Sequence, residues 1–95
     1  MLFLLLLVKT TVMSKRKVIE LPEDVAPMMK EIGLKVVEYR KTLHPNYRKF
    51  AELHNMSVMT LWRVQNGEDV KMSSFLLILK KIGVSPQDFF EGFRW

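Results

Sequence analysis

The chain has 95 residues, enough for one domain around a single modest core and too few for two. It has no cysteine, which excludes a disulfide framework and a thiolate metal site, and its 48% apolar and 26% charged residues are ordinary for a soluble globular protein. The net charge of +5 favours an anionic partner, although many small proteins this basic bind none.

The first twelve residues, Met1 to Val12, stand apart in composition. Leu2 to Val8 is an unbroken apolar run of seven, far short of the roughly 20 needed to span a bilayer. A signal peptide needs basic residues before such a run and a small-residue cleavage site after it; here Lys9 follows the run and no such site is present. The expectation is that natural translation starts at Met13, so that 1–12 is not part of the native protein. The alternatives are an unstructured or self-associating tail and, third, a membrane role. Ser14-Lys15-Arg16-Lys17 forms a short basic arm, either solvated or lying along phosphates. Residues 1–20 are thus read as a tail and 21–95 as the folded domain.

Leu21-Pro22-Glu23-Asp24 is expected to start the first long helix, with a proline and two acids suited to a first turn. Met28, Ile32, Val36 and Tyr39 repeat at helical spacing and form its core-facing stripe, and Lys35, Arg40 and Lys41 make its later turns basic. The helix ends at about Leu43, because His44 precedes Pro45 and is pushed out of the α region.

From Asn46 to Gly67 the pattern predicts two short helices joined by a tight turn. Phe50, Ala51 and Leu53 give the first an apolar side; Leu61 and Val64 do the same for the second. Asn55 tolerates the left-handed backbone that a sharp turn needs, and Ser57 caps the helix that follows. Small Ala51 suits the close approach of two helices joined so tightly. This is helix-turn-helix spacing. Glu68 to Lys71 reads as a loop. Phe75, Ile78, Leu79 and Ile82 mark a fourth helix, stopped by Gly83. Ser85-Pro86-Gln87-Asp88 starts a fifth, with a capping serine, a proline and an acid three residues after the cap. Its aromatics, Phe89, Phe90, Phe93 and Trp95, serve the core with a surplus for a dimer contact. No segment has strand periodicity, so the fold class is all-α.

Taken together these stretches resemble the phage-repressor/Cro-type (XRE-like) helix-turn-helix regulators over about Ile32 to Gly92. The resemblance rests on Ile32-Gly33 and Arg40, Phe50-Ala51, Met56-Ser57, Leu61-Trp62-Arg63-Val64 running into Asn66-Gly67, and Gly83-Val84-Ser85 leading to Phe89-Phe90. It is nearest to small single-domain members with a tyrosine at the place of Tyr47 and a Trp-Arg pair before the closing E-x-G. It implies a compact five-helix lambda-repressor-like DNA-binding domain whose third helix, Ser57 to Asn66, enters the major groove of double-stranded DNA. The implied biology is a cytoplasmic transcription regulator, a repressor, acting as a homodimer on DNA without cofactor or metal. Gln65 stands where the family usually has a glutamate paired with the arginine matching Arg40; it can still accept a hydrogen bond from that arginine. Val58 and Met59 stand where the family commonly has polar side chains.

The residues expected to work on DNA follow from the helix faces. Leu61 and Val64 turn inward, which leaves Val58, Met59, Trp62 and Arg63 outward as base-contacting candidates. Apolar groups there suit a thymine methyl, and Arg63 suits a guanine edge, with a phosphate contact or plain solvation as its alternatives. Trp62 either flanks the sugar-phosphate backbone or tucks against the second helix. Phosphate contacts are assigned to Asn46, Tyr47, Arg48 and Lys49 at the start of the second helix, which Asn46 caps and where free amides favour an anion, and to Lys71, with Lys35 and Lys41 on the same rim. The acids lie mostly at the two ends of the domain, Glu20, Glu23, Asp24 and Glu31 early and Asp88 and Glu91 late, which polarises the surface.

Enzymatic activity is not expected. His44 and His54 have no paired carboxylate or metal-like spacing, and there is no glycine-rich phosphate loop. The rival to a DNA-binding regulator is an antitoxin or another protein-interaction module that presents the apolar Val58, Met59 and Trp62 face to a toxin or other protein. No membrane partner is expected.

Overall fold

The computed structural model describes residues 20–95 as five α-helices, with no strand among the described residues. They are α1 (Ala26–Leu43), α2 (Tyr47–Leu53), α3 (Val58–Gln65), α4 (Met72–Ile82) and α5 (Pro86–Phe89). The leucine run, the expected start at Met13 and the basic arm lie outside the described residues.

α1 begins later than the Leu21 start expected from sequence. Pro22 to Val25 form a turn, in which the amides of Val25 and Ala26 both donate to the Pro22 carbonyl at 3.0 Å. Pro27 explains the displacement. Proline lacks the N–H an interior position must donate, and its ring would strike the carbonyl four residues back. A helix starting near Leu21 would put Pro27 inside it. With α1 starting at Ala26, Pro27 falls in the first turn, where amides have no intrahelical partner anyway. Glu23 and Asp24 therefore sit ahead of the helix, and its first turn carries no acid.

The remaining boundaries follow local backbone rules. Asn46 caps α2, its Oδ1 accepting from the amides of Arg48 and Lys49 at 2.9 and 3.1 Å. Asn55 is left-handed with φ 53°, the only non-glycine residue of positive φ among those described. Ser57 Oγ accepts from Thr60 N, and Ser85 Oγ from Asp88 N, both at 3.1 Å. Each such cap is worth about 1 kcal/mol. Gly83 ends α4 in the left-handed region, with its amide on the Leu79 carbonyl.

Ten residues form the core: Val36, Phe50, Ala51, Leu61, Val64, Phe75, Ile78, Leu79, Ile82 and Phe89. Every helix contributes, with α1 packing most extensively on α3. Of the expected α1 stripe, Val36 is fully buried, while Met28, Ile32 and Tyr39 are half-buried at the margin. Leu53 was expected inside and is 71% exposed. At 100° per residue, the direction between Phe50 and Ala51 sets the buried side of α2, and Leu53 falls well away from it. His54 takes the place one turn beyond Phe50, with the two rings 4.4 Å apart.

The chain's end also departs from expectation. α5 is one turn long and closes before Phe90, Phe93 and Trp95. Phe89 alone is fully buried, ringed by Tyr39, Phe75, Phe90 and Phe93 at centroid distances of 5.1–6.1 Å. Trp95 is 90% exposed and contributes little to the core.

Candidate nucleic-acid interface

The α2–α3 pair is positioned from behind by α1. Gly33 lies against the end of α3, so close that a Cβ there would stand 2.6 Å from the carbonyl oxygens of Val64 and Gln65. Only glycine lets two helix backbones meet at that separation. Two helical turns later, Arg40 is 4% exposed and bonds in three directions. Its Nε donates to Gln65 Oε1 at 3.1 Å, and its Nη1 donates to the carbonyls of His44 and Pro45 at 3.0 and 2.7 Å. The expected bond to Gln65 is present, as a charge-to-neutral contact rather than an ion pair. Burial pushes the Arg40 guanidinium below its ordinary range, because desolvation disfavours the charged form. One side chain thus ties the end of α1, the approach to α2 and the end of α3 together.

With its inner side held, α3 turns Leu61 and Val64 into the core. On its other side Val58, Met59 and Trp62 line an open groove whose remaining walls are Tyr47 and Arg48 of α2. Met59 is half exposed; Trp62 and Arg63 are partly covered. Val58, expected to face outward, is half-buried and packs on the core margin while still lining the groove. It sits in the first turn of α3, directly over the inward Leu61. The Arg48 guanidinium lies 5.8 Å from the centre of the Tyr47 ring, so a cation and a phenol share one wall.

The groove therefore unites five of the nine residues assigned from sequence, drawn from both the base-contacting and the phosphate-contacting sets. Lys49 is exposed on α2 outside the lining, and Arg63 is on α3, also outside it. Lys71 is the exposed N-cap residue of α4 and lines no part of it. Lys35 and Lys41 do not share this rim. They line a separate cleft with Glu38, Tyr39 and Thr42, where Lys35 Nζ lies 5.6 Å from the Phe93 ring centre.

At the start of α2 the expected Asn46 cap is present, its Oδ1 accepting from the amides of Arg48 and Lys49. Those two amides are therefore already bonded, and the groups exposed beside them are the side chains of Arg48 and Lys49.

Gly33 and Arg40, which set the groove's geometry, were not among the residues assigned to function from sequence. A glycine seven residues into an amphipathic helix is the signal that marks such a close approach, since it weakens the helix by about 1 kcal/mol unless packing requires it. Among the described residues there is no cluster of three or more His, Asp or Glu able to hold a metal, and no helix long and apolar enough to cross a membrane. Compared with known proteins, the chain matches no family model, no curated protein and no solved structure.

Proposed function

We propose that the chain is a sequence-specific DNA-binding regulator of the phage-repressor/Cro type, with a lambda-repressor-like five-helix fold and α3 as the helix that enters the major groove. The observation that carries this reading is the groove in which Met59 and Trp62 of α3 face Tyr47 and Arg48 of α2. A reader of duplex DNA needs a protruding helix beside cationic and hydroxyl groups that grip the flanking phosphates, and the groove supplies both. Arg63, one residue beyond Trp62, adds a two-pronged donor; a guanine contact through it is worth about 1–3 kcal/mol. The reading places the protein in the cytoplasm, where it represses transcription by occupying its site.

One eight-residue helix covers few base pairs. The proposal therefore includes a homodimer that sets two copies of α3 on successive major-groove turns, about 34–36 Å apart. Phe93 and Trp95 are the contact residues, supported by the 90% exposure of Trp95 at the end of the aromatic cluster.

The test is fluorescence anisotropy of the full chain against DNA upstream of its own gene and a scrambled duplex, at several salt concentrations, with Arg63→Ala alongside. The expected result is a preference of about 1,000-fold for the upstream DNA, partly lost in the variant. Equal weak binding to both duplexes that disappears with salt would refute specific recognition.

The apolar share of the groove favours one second reading, an antitoxin or interaction module that presents Val58, Met59 and Trp62 to a protein. An adjacent small toxin-like reading frame, and co-purification of its product with the full chain, would distinguish it.

A further inference from the structure

The outward surface of α3 has a chemical bias that bears on which bases it can read. In the major groove, adenine is read by an Asn or Gln amide, cytosine by a carboxylate, guanine by Arg or Lys, and thymine by an apolar contact with its 5-methyl group. From Ser57 to Asn66 there are two amides and no carboxylate. Both amides are in use within the fold. Gln65 accepts from Arg40 at 3.1 Å, at the end of α3 that lies against Gly33. Asn66 Nδ2 donates to the Trp62 carbonyl at 2.7 Å. Ser57 Oγ serves as a cap, and Thr60 lines a different cleft, with Met56, Ser74 and Leu77. What faces outward is Arg63, half-exposed Met59 and Trp62, with half-buried Val58 lining the same groove.

We infer that α3 reads the 5-methyl group of thymine, with Met59 as the reading side chain and Val58 and Trp62 as the walls beside it. This deepens the proposed DNA recognition and rests on it. The groove is apolar on its α3 side and carries Arg48 and Tyr47 on its α2 side, so a methyl group and a neighbouring phosphate meet complementary surfaces in one docking. An unbranched, polarisable methionine shapes itself around a methyl better than a stiff β-branched side chain. A single guanine contact through Arg63 and one or two thymine methyls then make up the direct reading by each copy.

The probes are duplexes selected by the full chain from a random-sequence pool, resynthesised with each dT in turn replaced by dU, which deletes only the methyl. At one or two positions the replacement weakens binding roughly fourfold, the effect of leaving one methyl's worth of apolar surface unburied, and elsewhere it has no effect. In Met59→Ala the dT/dU ratio at those positions falls towards one, while Met59→Leu keeps it. Because Met59 is half exposed, the alanine variant is expected to fold, which circular dichroism checks. If a selected duplex binds tightly and every dU replacement is neutral, or the ratio survives in Met59→Ala, thymine reading is refuted while DNA recognition stands. If no sequence is enriched from the pool, DNA recognition fails and this inference with it.

Discussion

Replacing Gly33 with alanine sets two effects of opposite sign against each other. In a helix interior, alanine is more favourable than glycine by about 1 kcal/mol, so propensity alone predicts a more stable protein. The tertiary structure predicts the reverse. The new methyl would meet the carbonyl oxygens of Val64 and Gln65 at 2.6 Å and the Gln65 carbonyl carbon at 2.9 Å, where ordinary contact begins near 3.4 Å. These are main-chain atoms, so no rotamer change relieves the overlap, and α1 and α3 must part by the better part of an ångström. Overpacking of this kind costs about 1–3 kcal/mol, occasionally more. With rigid main chain on both sides the cost falls at the upper end, about 3 kcal/mol, which leaves a net loss of about 2 kcal/mol after the propensity gain. For a domain of this size that lowers Tm by roughly 8–16 °C. Thermal melts at 222 nm measure it directly. A variant that melts at or above the wild-type temperature would refute the close approach of α1 to α3 and the positioning of the groove built on it.

Asn46→Ala removes the acceptor of two amides at the start of α2 and should destabilise by about 1 kcal/mol, read as a drop in denaturation midpoint with an unchanged m-value. Gln65→Glu gives buried Arg40 a charged partner 3.1 Å away and should stabilise by about 1 kcal/mol at neutral pH. Because Arg40 would depress that carboxyl, the gain should be present above the usual glutamate range near pH 4.3 and vanish as pH falls through the lowered value; a pH series of urea midpoints tests both sign and window. Phe89→Ala empties the centre of the aromatic cluster and should cost about 3–5 kcal/mol, enough to leave much of the chain unfolded by circular dichroism at 37 °C. Trp95→Ala, at a 90% exposed position, should leave Tm within a degree or two while weakening self-association on DNA in sedimentation velocity.

Features set by neighbours in the chain were legible before the structure. Asn46, Ser57 and Ser85 as caps, Asn55 in the left-handed region and Gly83 as a stop all follow from what a residue can do for the adjacent backbone. The errors arose where the sequence offers two locally equivalent choices. Pro22 and Pro27 both suit a helix start, and only the observation that Pro27 cannot lie inside one decides between them. In a helix of seven residues, Leu53 and His54 compete for the inner side with too few turns for periodicity to separate them. The four terminal aromatics look alike in sequence; packing against Tyr39 and Phe75 selects Phe89. Long-range geometry was the least legible. Nothing near Gly33 announces the carbonyls it meets 31 and 32 positions further on. The bonds from Arg40 to the His44 and Pro45 carbonyls become visible only once the chain is seen to turn after Leu43 into the approach to α2. For the groove, Val58, Met59 and Trp62 of α3 do lie together with Tyr47 and Arg48, Val58 half-buried on the core margin, whereas Arg63 and Lys35, Lys41, Lys49 and Lys71 lie outside its lining.

The three bonds of Arg40 also divide the work along α3. What holds the helix in place, Leu61 and Val64 in the core and Gln65 on Arg40, occupies positions distinct from Met59, Trp62 and Arg63 on its outward side. Apart from Val58, which serves both, stability and surface chemistry are therefore carried on separate residues of one short helix. A lineage carrying this scaffold can exchange half-exposed Met59 without touching Leu61, Val64 or Gln65, and so alter the surface of α3 while keeping what anchors it. The same separation makes the chain a practical starting point for libraries randomised at 59, 62 and 63, with Gly33, Arg40 and Gln65 left untouched.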